Sequence, residues 1–207
     1  MACFVQAAPN VPADQEQNVL SCKPNSHSLK DFDSRTSVLA PDHSHRLLLA
    51  EDGSFEVLRG TERIAVLRVP DLSSNIEIMW APDSEKFSIT YSDGGAEGTF
   101  RAHVYLIGGS SAVAEASKGV EAAFVDFKAH FYCEARGNNV YVEGWTSDSS
   151  AVYVVAQVFP TGDCGRHFGR LGGYLVDLEG NILHRYGDKE TRAIQSHCAK
   201  SGRANLL

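Results

Sequence analysis

Trp80-Ala81-Pro82-Asp83-Ser84 returns as Trp145-Thr146-Ser147-Asp148-Ser149, and Ala40-Pro41-Asp42-His43 is a shorter copy that lacks the tryptophan. In both full copies the fourth and sixth residues after the aspartate are apolar: Phe87 and Ile89, then Val152 and Val154. Self-similarity of this kind is the signature of a repeat architecture. The residue types explain the pattern. Proline presets φ for a turn and aspartate accepts hydrogen bonds from the backbone just ahead of it. Tryptophan is a large anchor for burial between neighbouring sheets. Trp80, Asp83, Trp145 and Asp148 are therefore read as structural residues of the repeat.

Outward from these turns the chain alternates in the manner of half-buried strands. Leu47 to Leu49 end at Glu51-Asp52-Gly53, and Asp-Gly between apolar runs predicts a hairpin with positive φ at both turn residues. Phe55 and Val57, then Ile64, Val66 and Leu67, supply two more strands around Gly60-Thr61-Glu62. Ile76 and Ile78 open a second unit, which continues through Phe87, Ile89 and Tyr91 to His103–Ile107. Val140 to Val142 open a third, with a turn expected at Gly144-Trp145, then Val152 to Phe159, Tyr174 to Leu178 and Ile182-Leu183. A glycine-rich loop is expected over 160–173. Residues 111–134 break the alternation. Ala116, Val120, Phe124, Phe127 and Phe131 recur at helical steps and predict one inserted amphipathic helix. Asp42 and Asp83 are 41 residues apart, the length of one four-stranded blade. Asp83 and Asp148 are 65 apart, and the excess of 24 matches the helical insertion.

The two full copies resemble the TolB-type β-propeller repeat, in which a Trp-Ser-Pro-Asp-Gly segment leads into a strand. The resemblance covers roughly residues 37–108 and 139–187. It implies an all-β, propeller-like array of antiparallel sheets with about three blades, fewer than the ~4–8 that usually close a ring. Three ways of completing it are open: a degenerate fourth blade from the two ends of the chain, an arc with the helix covering an exposed edge, or pairing as a homodimer. The domain reading is an N-terminal arm over 1–36, a repeat domain over 37–188 and a tail over 189–207 that forms a turn or a short helix. The arm is polar and is read as extended or disordered.

Composition limits function. The chain has 207 residues, 43% apolar, with 19 Lys and Arg against 26 Asp and Glu, a net charge of -7. That balance argues against nucleic acid as a partner, because phosphate-backbone binding needs a basic face. No apolar run is long enough for a transmembrane segment. The one basic cluster, Arg166, His167 and Arg170, is a candidate binding patch, with a solvated loop as the plain alternative. Cysteines stand at 3, 22, 133, 164 and 198. Val5-Gln6-Ala7 is similar to the end of a cleaved export signal; loss of Cys3 would leave Cys22, Cys133, Cys164 and Cys198 as disulfide candidates with three possible pairings. A periplasmic or secreted location follows as an expectation, with a reduced cytoplasmic protein as the alternative.

No catalytic, metal or cofactor motif stands out. His43-Ser44-His45 offers two imidazoles, short of the three or four ligands a zinc site takes. Cys164-Gly165-Arg166-His167 sets a thiol beside an imidazole without an orienting third group. The glycines at 169, 172 and 173 do not match a phosphate loop. The expectation is a non-enzymatic binding or interaction module whose partner is a protein or a cell-envelope polymer, acting through blade-end loops. A small hydrolase or lyase on an incomplete propeller is the alternative, and a funnel gathering His103, His167 and carboxylates would mark it. A fragment of a longer propeller is the third reading.

Overall fold

Each repeat turn closes a hairpin between the first two strands of a four-stranded antiparallel meander. The computed structural model describes residues 20–21, 26–29, 37–69, 74–92, 99–108, 112–131, 138–158, 165–167 and 169–200. After two short strands from the arm, β1 (Leu20–Ser21) and β2 (Ser26–Leu29), the first meander is β3 (Ser37–Leu39), β4 (His45–Leu49), β5 (Phe55–Arg59) and β6 (Glu62–Leu67). The second is β7 (Ser74–Trp80), β8 (Lys86–Ser92), β9 (Phe100–Ile107) and β10 (Val113–Glu115). The helix α1 (Lys118–His130) follows. The third is β11 (Asn139–Thr146), β12 (Ala151–Gln157), β13 (Leu171–Asp177) and β14 (Ile182–Tyr186), and then comes a second helix, α2 (Asp188–Lys200). The arm enters two of these sheets. β2 pairs with β7 and β1 with β11, in both cases on the free edge of the meander's first strand.

The three sheets stack in chain order. One apolar cluster joins Val38, Leu47, Phe55 and Val57 of the first sheet to Ile76, Ile78, Trp80 and Phe87 of the second. Another joins Met79, Ala102 and Val104 of the second sheet to Val142, Trp145, Val152 and Val154 of the third, with Val120, Ala123 and Phe127 of α1. The outer face of the third sheet, Tyr141, Tyr153, Val155 and Leu171, is covered by Ile194 and Cys198 of α2. Trp80 and Trp145 are both fully buried, and each faces the sheet before its own. In the first copy this position is Leu39, which is 47% exposed because no described sheet precedes it. The missing tryptophan thus has a physical reason.

A polar link repeats alongside the apolar one. His43, Ser84 and Ser149, each directly after the repeat aspartate, all have φ near +60°. That left-handed backbone is uncommon outside glycine. It accompanies a hydroxyl that reaches the preceding turn: the Asp42 amide donates to Ser84 Oγ at 3.1 Å, and the Asp83 amide to Ser149 Oγ at 3.0 Å. Within each turn the carboxylate accepts from the amide two residues on, at 2.8 Å for Asp42, 3.0 Å for Asp83 and 3.0 Å for Asp148.

Several expectations need correction. The helix is shorter than 111–134: residues 113–115 are the fourth strand of the second sheet, and the helical core face is Val120, Ala123 and Phe127. The chain does not turn at Gly144-Trp145; β11 runs through both by a bulge after Val142. The Asp52-Gly53 hairpin has positive φ at Gly53 alone. Asp52 instead accepts the amide and hydroxyl of Ser54 at 3.0 and 2.6 Å. Gly172 and Gly173 belong to strand β13, not to a loop. A Cβ on Gly172 would meet Phe127 of α1 at 2.8 Å, and one on Gly173 would strike the Tyr153 hydroxyl and approach Thr191 Oγ1 of α2 at 2.8 Å. These glycines bring the two helices onto opposite faces of the third sheet. Among the described residues no helix is long and apolar enough to cross a membrane.

Two measurements test the turn chemistry. Ser149→Ala leaves the part-buried Asp83 amide without its acceptor, a loss of about 1–2 kcal/mol. Ser150→Ala removes a hydroxyl that serves only its own exposed turn and stays within about 0.5 kcal/mol of wild type in urea unfolding. The second test is pH. The Thr146 hydroxyl first, then the amide and hydroxyl of Ser150, hold the Asp148 carboxyl down at about 2, against 3.8 when unperturbed. Asp42 and Asp52 are lowered by the same kind of contact, from Ser44 and Ser54. A carboxylate that binds protons more weakly when folded contributes stability that is complete above its unfolded pKa and is lost as pH falls through its folded one. Melting temperature therefore holds level down to about pH 4 and drops toward pH 2, and Asp148→Asn flattens part of that drop.

Candidate functional site

Two clusters join titratable side chains across strands. The first begins at the N-terminal end of β4. Ser44 Oγ donates to Asp42 Oδ1 at 2.6 Å and lies 2.7 Å from His45 Nδ1, while Arg59 Nε donates to His45 Nε2 at 3.2 Å. With Nε2 accepting, the neutral ring carries its proton on Nδ1 and donates it to Ser44. Burial, and then the Arg59 guanidinium, push the His45 imidazole below its ordinary range. The line Arg59–His45–Ser44–Asp42 ends on the carboxylate of the first repeat turn, so the His45 and Ser44 protons are spent on that turn. His43, the other imidazole of the pair, sits exposed at its left-handed position. No group of three or more potential metal ligands gathers among the described residues.

The second cluster lies on the face of the second sheet that looks toward the first. Antiparallel register sets residues of neighbouring strands side by side: Tyr91 opposite Arg101, Ile89 opposite His103, Tyr105 opposite Glu115. His103 Nδ1 lies 2.6 Å from Glu115 Oε1, and His103 Nε2 lies 3.3 Å from the Tyr91 hydroxyl. The Tyr91 and His103 rings are nearly parallel at 5.8 Å. Ser117 Oγ donates to the same Glu115 oxygen at 2.8 Å and accepts from the Val104 amide at 3.0 Å. Ser117 is thus spent on this network and does not cap α1, although it stands just before that helix. Burial works to raise Glu115, but the hydrogen bonds from His103 and Ser117 outweigh it and hold the carboxyl below its ordinary value. Burial first, and then the charge of Glu115, push the Tyr105 phenol up.

A hydroxyl, an imidazole and a carboxylate in line can move a proton. A general base, however, must reach the proton it removes from a substrate. Here His103 Nε2 is turned to Tyr91, whose side is buried in the core between the first two sheets. The geometry fits a tie that fastens β10 and the start of α1 to the sheet. His167 does not join it. Its ring meets Phe131 edge-on at 5.9 Å, on the side of the second and third sheets. The funnel of His103 and His167 that would mark a hydrolase does not form from these residues.

The basic cluster is only partly described. Residues 165–167 form a 3-10 turn, and the Arg170 amide donates to the His167 carbonyl at 3.1 Å. Arg170 is exposed and its charge acts on Asp188 at the start of α2. The Arg166 side chain, and residues 159–164 and 168 of the same loop, lie outside the described residues, as do Cys3, Cys22, Cys133 and Cys164. Cys198, on the inner side of α2, is fully buried and is disulfide-bonded.

The surface the sequence reading passed over is the outer face of the first sheet. Register places Leu39, Arg46, Leu58 and Arg63 in one row and Ser37, Leu48, Glu56 and Val66 in the next. Leu39 and Val66 are 47% and 46% exposed, and Arg63 donates to Glu56 at 2.6 Å. Arg46 Nε is buried with no acceptor among the described residues, and Leu58 beside it is 7% exposed. The signal was present in the sequence: Leu48, Leu58 and Val66 are apolar on the side of each strand opposite the core residues Leu47, Val57 and Ala65.

No protein family, no curated protein and no solved structure gives a significant match to this chain.

The tie gives a direct prediction. Glu115→Gln keeps the shape and removes the charge facing His103 and Ser117, and half of the Glu115 side chain is exposed. A loss of about 1 kcal/mol follows for such a partly screened, charge-assisted pair. Hydrogen exchange then quickens in β10 and the first turn of α1 and stays unchanged in the third sheet.

Proposed function

We propose that this protein is a non-enzymatic interaction module built on an incomplete propeller-like array of the TolB type, and that it acts outside the cytoplasm. The observation that carries the reading is the asymmetry of the stack. The third sheet's outer face is sealed by α2, through Ile194 and Cys198, through Gln195 donating to the Tyr141 hydroxyl at 2.8 Å, and through Asp188 accepting from the Leu171 amide at 2.9 Å. Among the described residues no helix covers the first sheet's outer face, which presents Leu39 and Val66. The two stand on the edge strands β3 and β6, with the half-buried Leu48 and the buried Leu58 between them on the same side, and apolar area gathered on one face marks an interaction surface. Interaction is thereby assigned to the first blade's face rather than to the blade-end loops. The disulfide at Cys198 supports an oxidising compartment.

The test is footprinting with a diffusible carbene. In dilute purified protein Leu39 and Val66 label as strongly as Val125 and Leu183, which are 63% and 48% exposed and stand apart from this face. In native extract the first pair is protected and the second pair is not. Equal labelling of both pairs in both conditions contradicts the reading.

A further inference from the structure

We infer that the disulfide of Cys198 is made with Cys22, so that one covalent bond joins the N-terminal arm to the last helix beside β11. The inference is independent of which surface meets a partner. Cys198 is fully buried and disulfide-bonded, and the cysteines that can pair with it, Cys3, Cys22, Cys133 and Cys164, all lie outside the described residues. Their described neighbours separate them.

The course of α2 fixes where Cys198 stands. The helix begins beside β13, where the Leu171 amide donates to Asp188 at 2.9 Å. Thr191 lies against Gly173 of the same strand. One turn later Gln195 reaches the Tyr141 hydroxyl of β11 at 2.8 Å. The helix thus crosses the outer face of the third sheet from β13 over β12 toward β11. Cys198 is seven residues past Thr191. That is about 10 Å along the helix axis, or two strand spacings of ~4.8 Å. The strand on the far side of β11 is β1.

β1 ends at Ser21, which pairs with Trp145 of β11. The next Cα along the chain is ~3.8 Å away. Trp145 is buried on the inner face, toward the second sheet. Successive positions of an extended chain alternate between the two faces. The position after Ser21 therefore falls to the outer side, which α2 covers. A disulfide needs Cα atoms ~4.4–6.8 Å apart, and Cys22 is the cysteine that adjoins a described residue at this edge of the sheet.

The other cysteines adjoin different places. Cys133 is two residues past Phe131, which packs with α1 on the inner face, so the third sheet stands between that position and α2. Cys164 precedes Gly165, in the 3-10 turn whose His167 ring meets Phe131 on the same inner side. The part of α2 nearest that loop is its beginning, where Arg192 donates to the Gly169 carbonyl at 2.9 Å, and Cys198 stands at the other end. Cys3 is 17 residues before Leu20, and no described residue brings it toward α2. Forming the bond removes two electrons and two protons from the two thiols; glutathione disulfide accepts them by exchange and becomes two glutathione thiols. A bridge between positions so far apart in sequence encloses most of the chain, the case in which a cross-link restricts the unfolded state most.

Peptide mapping tests the pairing. The full chain is refolded in oxidised and reduced glutathione, alkylated without reductant, and cut with trypsin and an Asp-specific protease, which separates Cys3 from Cys22. The expected result is Ala193–Lys200 joined to the peptide that carries Cys22. Joining to the peptide of Cys3, Cys133 or Cys164 overturns the proposal, and so does recovery of Cys198 in alkylated form. Hydrogen exchange gives a second readout. Cys22→Ser quickens exchange about tenfold in the last turn of α2 and leaves the first sheet unchanged, as local opening allows, while Cys164→Ser leaves α2 slow. The reverse pattern, with α2 loosened by Cys164→Ser and not by Cys22→Ser, also overturns it.

Discussion

The structure depends on how one sheet is fastened to the next. A sheet with an apolar face cannot stand alone in water, and each of the three meanders buries that face against its neighbour. Two contacts recur at every junction. A tryptophan or its core companions fill the space between sheets, and a left-handed serine hydroxyl takes the amide of the preceding repeat turn. Burial of a large aromatic supplies most of the energy, about 3–5 kcal/mol for such a side chain by truncation. The hydrogen bond contributes less but is directional, and so it fixes which turn sits beside which. Both indole nitrogens are buried without a hydrogen-bond partner among the described residues. The tryptophans therefore act through packing, and their loss of hydration is a cost that the packing offsets.

The ends of the stack follow from the same rule. At the first sheet there is no described sheet behind Leu39, and the serine position is filled by His43, with no repeat turn before it among the described residues. At the third sheet no described hydroxyl of a following turn takes the Asp148 amide, and the helix α2 stands where the next sheet would pack. Gly173 makes that substitution possible, since a side chain there would collide with Tyr153 and Thr191. The arm adds strands to the first strands of the second and third meanders, which covers edges that would otherwise stand open to pairing. Among the described residues, one end and two edges of the three-sheet array are covered, and the outer face of the first sheet carries no further helix or sheet.

Much of this was legible in the residues. The repeat turns, the alternation after them and the burial of Trp80 and Trp145 come from strong local signals. The helix was visible through its phenylalanines, but its start was misplaced because Ala116 fits the helical step while β10, three residues long, has too little pattern to be seen. The C-terminal helix was faint for a different reason: it is polar along most of its length, and Thr191, Ile194 and Cys198 are its fully buried residues. The candidate site was the least legible. Tyr91, His103 and Glu115 are twelve residues apart at each step, and strand register alone brings them together. The exposed face of the first blade was readable in principle from the apolar residues on the wrong side of its strands. The repeat pattern does not carry it, because this face is where the first copy departs from the others.

The amides of the three repeat aspartates give the most direct test of the stacking. Native-state hydrogen exchange, followed residue by residue, compares Asp42, Asp83 and Asp148. The first two donate to a serine of the following blade, whereas the Asp148 amide has no acceptor among the described residues. Slow exchange at Asp42 and Asp83 with fast exchange at Asp148 is the predicted result. Equal rates at all three would mean that the turns do not link neighbouring blades, and the stacked array would be contradicted.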